Sequence, residues 1–155
     1  MKTLVIGAAI IDIIMKIKRL PKSGEDILCS ETVSTVGGCA YNVAGTLRGF
    51  GVDHDLFVPV GRGMYGDMIA GDLEKLGYQI LIREEESDNG YCLCLVEEDG
   101  ERTFITVKGA EGRFRPSWFE QLSQDAYDSI YVAGYQVCGN SGRGISGWME
   151  GAKDR

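Results

Sequence analysis

The chain has a single histidine, His54, which all but removes a histidine-built metal site from consideration. Basic residues are in deficit: 16 Lys and Arg stand against 23 Asp and Glu, a formal net charge of −7. That balance argues against a nucleic-acid face and against an anionic membrane as partner. No apolar run approaches the ~20 residues that span a bilayer. Met1-Lys-Thr leads straight into a strand-like run, without a signal peptide. The five cysteines (Cys29, Cys39, Cys92, Cys94, Cys138) lack metal-ligand pairing, and Cys92-x-Cys94 is not a CxxC redox motif. Reduced thiols in a soluble, cytoplasmic protein are the expectation. Prolines number 3 against 22 glycines, and the glycines have no collagen-like period. They point instead to turns and to backbone that a ligand approaches closely. Internal repeats, low-complexity tracts and a Walker-type G-x-x-x-x-G-K-[ST] are absent.

What remains is ordinary globular material. With 155 residues, 44% hydrophobic and 25% charged, the chain reads as one domain able to fold without staples. Leu4-Val-Ile-Gly-Ala-Ala ends in small residues, as a buried parallel strand does. Gly37-Gly38 opens a helix in which Ala40, Val43, Ala44, Leu47 and Phe50 recur at helical spacing. Leu56–Val60 reads as a strand despite Pro59, and Met64–Leu76 as an amphipathic helix with Gly77 just past its end. Further strand signals fall at Gln79–Ile82 and Ser129–Ala133, the latter of buried type, with short helices at Pro116–Leu122 and around Trp148. Strands alternating with helices predict an α/β fold on a parallel central sheet. Segments 13–19, 27–36, 91–96 and 103–107 are half polar and predict a separate small sheet.

Three places can carry chemistry. In Val36-Gly-Gly-Cys-Ala-Tyr-Asn42 a double glycine at a strand-to-helix junction exposes backbone and the first helical N–H groups to a ligand. Asn42, one turn in, can donate to and accept from a hydroxyl; the bland alternative is a glycine turn whose asparagine bonds backbone. Asp12, among Ile10, Ile11 and Ile13, is costly to bury without donors, which a polyhydroxylated ligand or a backbone turn would supply. Gly61-Arg-Gly63-Met-Tyr-Gly66 matches the dinucleotide pattern G-x-G-x-x-G, with acids at Glu84–Glu86 about twenty residues on. It lies outside the first βα unit, so a nicotinamide-dependent oxidoreductase is the rival reading. Cys39 stands where a helix start favours a thiolate, yet a small buried thiol is the plainer expectation.

Taken in order, these residues resemble the N-terminal part of the ribokinase-like, or PfkB, family of carbohydrate and nucleoside kinases. The resemblance is carried by the first strand ending at Gly7 and followed by Asp12, by Gly37-Gly38-x-x-x-Asn42-x-Ala44, and by Val60-Gly61-x-x-x-x-Gly66 leading into a helix. Lys108-Gly-Ala-Glu111 is similar to the family's Gly-Ala-Asn-type turn, and Tyr131-Val-Ala-Gly134-Tyr135 to its next core strand. It runs over residues 1–155.

The resemblance implies an ATP-dependent phosphotransferase acting on an alcohol group of a sugar or nucleoside. Strands in 13–36 and 91–108 would be a lid that covers the sugar and offers a homodimer contact. Asp12, Gly37, Gly38 and Asn42 would hold substrate hydroxyls, with Tyr135 near another substrate-side position. Departures at Gly63, Ile10 and Cys39, where members carry Asp, Asn and polar residues, touch the identity of the sugar. The family's Gly-Ala-Gly-Asp element, with its catalytic base, and the ATP and Mg²⁺ sites belong to the C-terminal half. Ala70-Gly71-Asp72 lies within a helix and is not that element. The expectation is therefore an N-terminal, substrate-binding portion without kinase activity of its own; a non-catalytic sugar-binding or dimerisation module is the other alternative.

Overall fold

The computed structural model describes residues 1–138 and 140–153. In chain order its strands and helices are β1 (Lys2–Ile6), β2 (Ile10–Lys16), β3 (Glu31–Gly37), α1 (Cys39–Gly49), β4 (Asp53–Phe57), β5 (Pro59–Val60), α2 (Met64–Lys75), β6 (Ile82–Arg83), β7 (Tyr91–Val96), β8 (Arg102–Val107), β9 (Ser129–Val132), α3 (Gly134–Val137) and α4 (Asn140–Lys153). Short 3-10 turns fill Ala110–Gly112, Pro116–Gln121 and Gln124–Ala126.

The body is an α/β layer built on a three-stranded parallel sheet in the order β4-β1-β9. β1 is central, and side-chain alternation along it divides the core in two. Val5 faces a cluster with Ala40 and Ala44 of α1, Leu56, and Ile69 and Leu73 of α2. Leu4 and Ile6 face the other side, with Phe57, Phe114, Phe119 and Ile145. The same period sends Leu56 to the first cluster and Phe57 to the second. Pro59 does interrupt the strand: pairing with β1 ends at Phe57, and Pro59–Val60 pair instead with β6.

The half-polar segments form a sheet of their own, β3-β2-β7-β8, in which only β2 and β7 run parallel. Its strands sit a few residues from the sequence expectation. β2 starts at Ile10 rather than 13, because Ile10 already pairs with Gly37, and it ends at Lys16. β3 begins at Glu31 rather than 27, since Ser30 turns back to bond the Lys16 carbonyl. Gln79–Ile82 shrinks to a two-residue strand at Ile82–Arg83, and the short helix expected at Pro116–Leu122 is a 3-10 helix over Pro116–Gln121. β9 is not of buried type in this chain: it lies at the edge of its sheet, and Tyr131 is exposed. No helix among the described residues is long and apolar enough to cross a membrane, and all five cysteines are free thiols. Cys92 and Cys94 are buried side by side in β7, as their alternation suggests.

Candidate functional site

Two helices open on glycine, and their N-termini differ. α2 follows Gly61-Arg-Gly63, and the carboxylate of Asp88 is seated on its first turn, accepting from Tyr65 N at 3.1 Å and Gly66 N at 2.6 Å. The glycines of the G-x-G-x-x-G pattern make room for that carboxylate and its loop. A Cβ on Gly63 would stand 2.5 Å from Asp88 Cγ, and one on Gly61 2.8 Å from the Asp88 carbonyl carbon. The helix end is thus filled by the chain's own anion, where a pyrophosphate would need to sit. This removes the dinucleotide reading of Gly61, Gly63 and Gly66. The acidic residues downstream are absorbed locally as well: Glu84 is buried and pairs with Arg115 at 2.7 Å.

α1 presents the opposite case. Gly38 precedes it with φ +103°, a left-handed conformation that favours glycine, and no side chain caps the helix. A Cβ there would stand 2.6 Å from the Ala8 carbonyl oxygen. Backbone of the β1–β2 connection therefore lies directly against the helix start, and Tyr41 N reaches Ala8 O at 3.5 Å. Gly37 is bare for a different reason: a Cβ would stand 3.0 Å from Asp12 Cγ. A side chain at position 37 would have to displace the Asp12 carboxylate from this place beside the neighbouring strand.

Asp12 sits in β2, half-buried, and its carboxylate makes no hydrogen bond or ion pair among the described residues. Burial pushes its carboxyl above the ordinary carboxylate range. A backbone cap, the plain alternative for this residue, is not what holds it. Asn42 is exposed in the first turn of α1; its N–H donates to Gly38 O at 2.9 Å, and its side chain has no hydrogen bond among the described residues. The structure thus brings Asp12, Gly37, Gly38 and Asn42 to one junction, where β1 ends and α1 begins. In open α/β sheets that is where ligands bind. Neither Asp12 nor Asn42 lines the cavities of about 540 and 330 Å³ at the far end of the small sheet, around Lys18 and Ser30.

Tyr135 lies on α3 with its side chain 78% exposed, whereas Gln136, beside it, is 7% exposed. Its Oε1 is buried without a hydrogen-bond partner, 3.5 Å from where a Cβ on Gly7 would stand. That Cβ would also meet Ala40 and Ala133 at 2.7 and 2.8 Å, so Gln136 packs at the same junction. Sequence reading passes over Gln136 because a lone glutamine after an apolar strand looks like a solvated residue. Cys39 is exposed at the first position of α1, not buried as a small core thiol, because Ala40 takes the inward-facing position. Among the described residues no group of three or more His, Cys, Asp or Glu could hold a metal ion.

The pattern of the pfkB family carbohydrate kinases matches residues 1–143. The uncharacterized sugar kinase YegV of Escherichia coli (strain K12) is 38% identical over 151 residues, which are 97% of this chain and 47% of that protein. The ribokinase of Arabidopsis thaliana is 28% identical over 134 residues, 84% of this chain and 35% of that one. Among solved structures, ribokinase from Giardia lamblia superposes with a TM-score of 0.76 at 24% identity, covering 86% of this chain and 42% of its own. The structure of Arabidopsis thaliana ribokinase complexed with ribose and ATP gives 0.68 at 24% identity, covering 86% and 44%. The chain therefore spans between about a third and a half of the length of these relatives.

Proposed function

The chain belongs to the pfkB family of carbohydrate kinases, and from that premise we propose that it is the substrate-side portion of an ATP-dependent sugar or nucleoside kinase. The observation that carries this reading is the Asp12 carboxylate, half-buried, unpartnered and fitted against Gly37 at an uncapped helix start. A vicinal diol would donate to Asp12, accept from backbone N–H groups after Gly38, and exchange hydrogen bonds with the Asn42 amide. Tyr135 would add a contact from the β9 side. The four-stranded sheet that carries Asp12 would serve as the lid. Exposed Val33, Phe104, Ile105 and Val107 on its strands offer apolar surface for a second copy of the chain.

The γ-phosphoryl transfer itself needs a base, an anion site and the ATP phosphates with Mg²⁺, and none of these roles falls on a residue described above. The chain alone is therefore expected to be inactive. Calorimetry with a panel including ribose and fructose, together with an ADP-release assay in ATP-Mg²⁺, tests both statements. The expected outcome is sugar binding without ADP release above blank, with binding weakened at least tenfold in Asp12→Ala and in Asn42→Ala. Each lost buried hydrogen bond is worth roughly 1–3 kcal/mol. Variants that bind sugar like the parent chain would overturn the site, and measurable turnover would overturn the expected inactivity.

A further inference from the structure

The small sheet meets the body at four crossings, and two buried polar side chains hold three of them together. Asn89, 3% exposed, uses every polar atom of its amide. Nδ2 donates to Ala9 O at 3.1 Å and to Pro59 O at 3.0 Å, while Oδ1 accepts from Gly61 N at 2.7 Å. Glu111, 4% exposed, sits astride the segments that enter β7 and leave β8. Its two carboxylate oxygens accept from Gly90 N at 2.8 Å and Gly109 N at 2.9 Å. Those two segments are in backbone contact: a Cβ on Gly90 would stand 2.8 Å from Gly109 N. Gly90 O in turn accepts from Ile11 N at 3.2 Å. So Ala9 is held by Asn89, and Ile11 is held through Gly90 by Glu111. The residue immediately after Ile11 is Asp12.

We propose that Asn89 and Glu111 are positioning residues: together they set the angle of the small sheet on the body, and so the placement of Asp12 against Gly37 and the start of α1. The proposal rests on the reading of Asp12 as a substrate ligand. Its chemistry is specific to a carboxylate at 111. Both of its oxygens face N–H donors, and an amide offers only one acceptor oxygen, so a glutamine would turn its NH₂ toward one of the two donors. The crossing would then loosen on one side, and Asp12 would shift into water.

The test uses Glu111→Gln in the chain, read by amide hydrogen exchange and by titration of the ¹³C-labelled Asp12 carboxyl. Exchange at Ile11, Gly90 and Gly109 is expected to accelerate at least tenfold, with Leu56 in the body unchanged. The Asp12 carboxyl is expected to titrate at lower pH, nearer an ordinary carboxylate. A variant in which Asp12 titrates as in the parent chain would overturn the proposal, whatever happens to exchange elsewhere. If the glutamine variant does not fold, Glu111→Asn, with its shorter amide, takes its place. Failure of both to fold would make Glu111 a requirement of the fold and also overturn the proposal. Neither readout involves a sugar, so its failure leaves the kinase reading standing, and absence of sugar binding leaves the clamp standing.

Discussion

Burial alone raises the Asp12 carboxyl above its ordinary range, and the sign of that shift has a stability consequence. A carboxyl whose folded value exceeds its unfolded value, about 3.9, binds more protons in the native state. Its contribution to stability is complete below the unfolded value and is lost as pH rises through the folded one. At neutral pH the ionised Asp12 is therefore a cost that the empty site carries. Asp12→Asn, similar in shape and uncharged, is expected to raise the melting temperature at pH 7 and to leave it nearly unchanged at pH 3. Sugar affinity should fall in the same variant. Thermal melts at the two pH values check this; a melting temperature lowered equally at both would mean that Asp12 holds the fold rather than the ligand. Gly37 belongs to the same argument, since the space that a Cβ would fill is the space the carboxylate uses.

The helices divide the labour differently from what their glycine motifs suggest. α2 depends on Asp88, 22 residues beyond Gly66, which also accepts from Asn89 N at 2.8 Å. Asp88→Ala leaves these amide donors without their acceptor and is expected to cost about 2 kcal/mol, seen as a lower denaturation midpoint. An unchanged midpoint would show that water caps the helix equally well. This pairing explains how far the sequence could be read. The Gly37-Gly38-x-x-x-Asn42 junction and the apolar face of α2 are local patterns, visible as spacing along the chain. The buried Asn89 and Glu111 and the half-buried Asp88 reach backbone as far as 80 residues away, and nothing in their neighbours marks them for it. The exposed Glu85 and Glu86 beside the buried Glu84 make the same point: Arg115 pairs with both Glu84 and Glu86, yet only Glu84 is inside. β9 misled for the opposite reason, because its apolar sequence reads as a strand covered on both sides, and among the described residues it pairs on one side only.

Across the molecule, tyrosines rather than carboxylates set the alkaline limit. Burial, helped by a 2.5 Å hydrogen bond donated to Asp72, pushes the Tyr41 hydroxyl up to about 12, and burial with a bond to Asp55 raises Tyr127 as well. Both are protonated in the native state where an unfolded tyrosine, near 10, ionises. The tyrosines' contribution to stability is therefore complete below pH 10 and is expected to fall between 10 and about 12. In a Tyr41→Phe, Tyr127→Phe chain, melting temperatures from pH 9 to 11 should fall less steeply; parallel curves would place the alkaline loss elsewhere. The two sheets also differ in how they are threaded. The chain enters the small sheet at Ile10 and leaves at Gly37, its register partner; it re-enters beside Gly90 and leaves beside Gly109, which touch. Each excursion begins and ends at one spot, like a detachable cassette in a frame that never notices its length. Such hairpins can lengthen or shorten while β4-β1-β9 keeps its packing, so the small sheet can diversify independently of the fold beneath it.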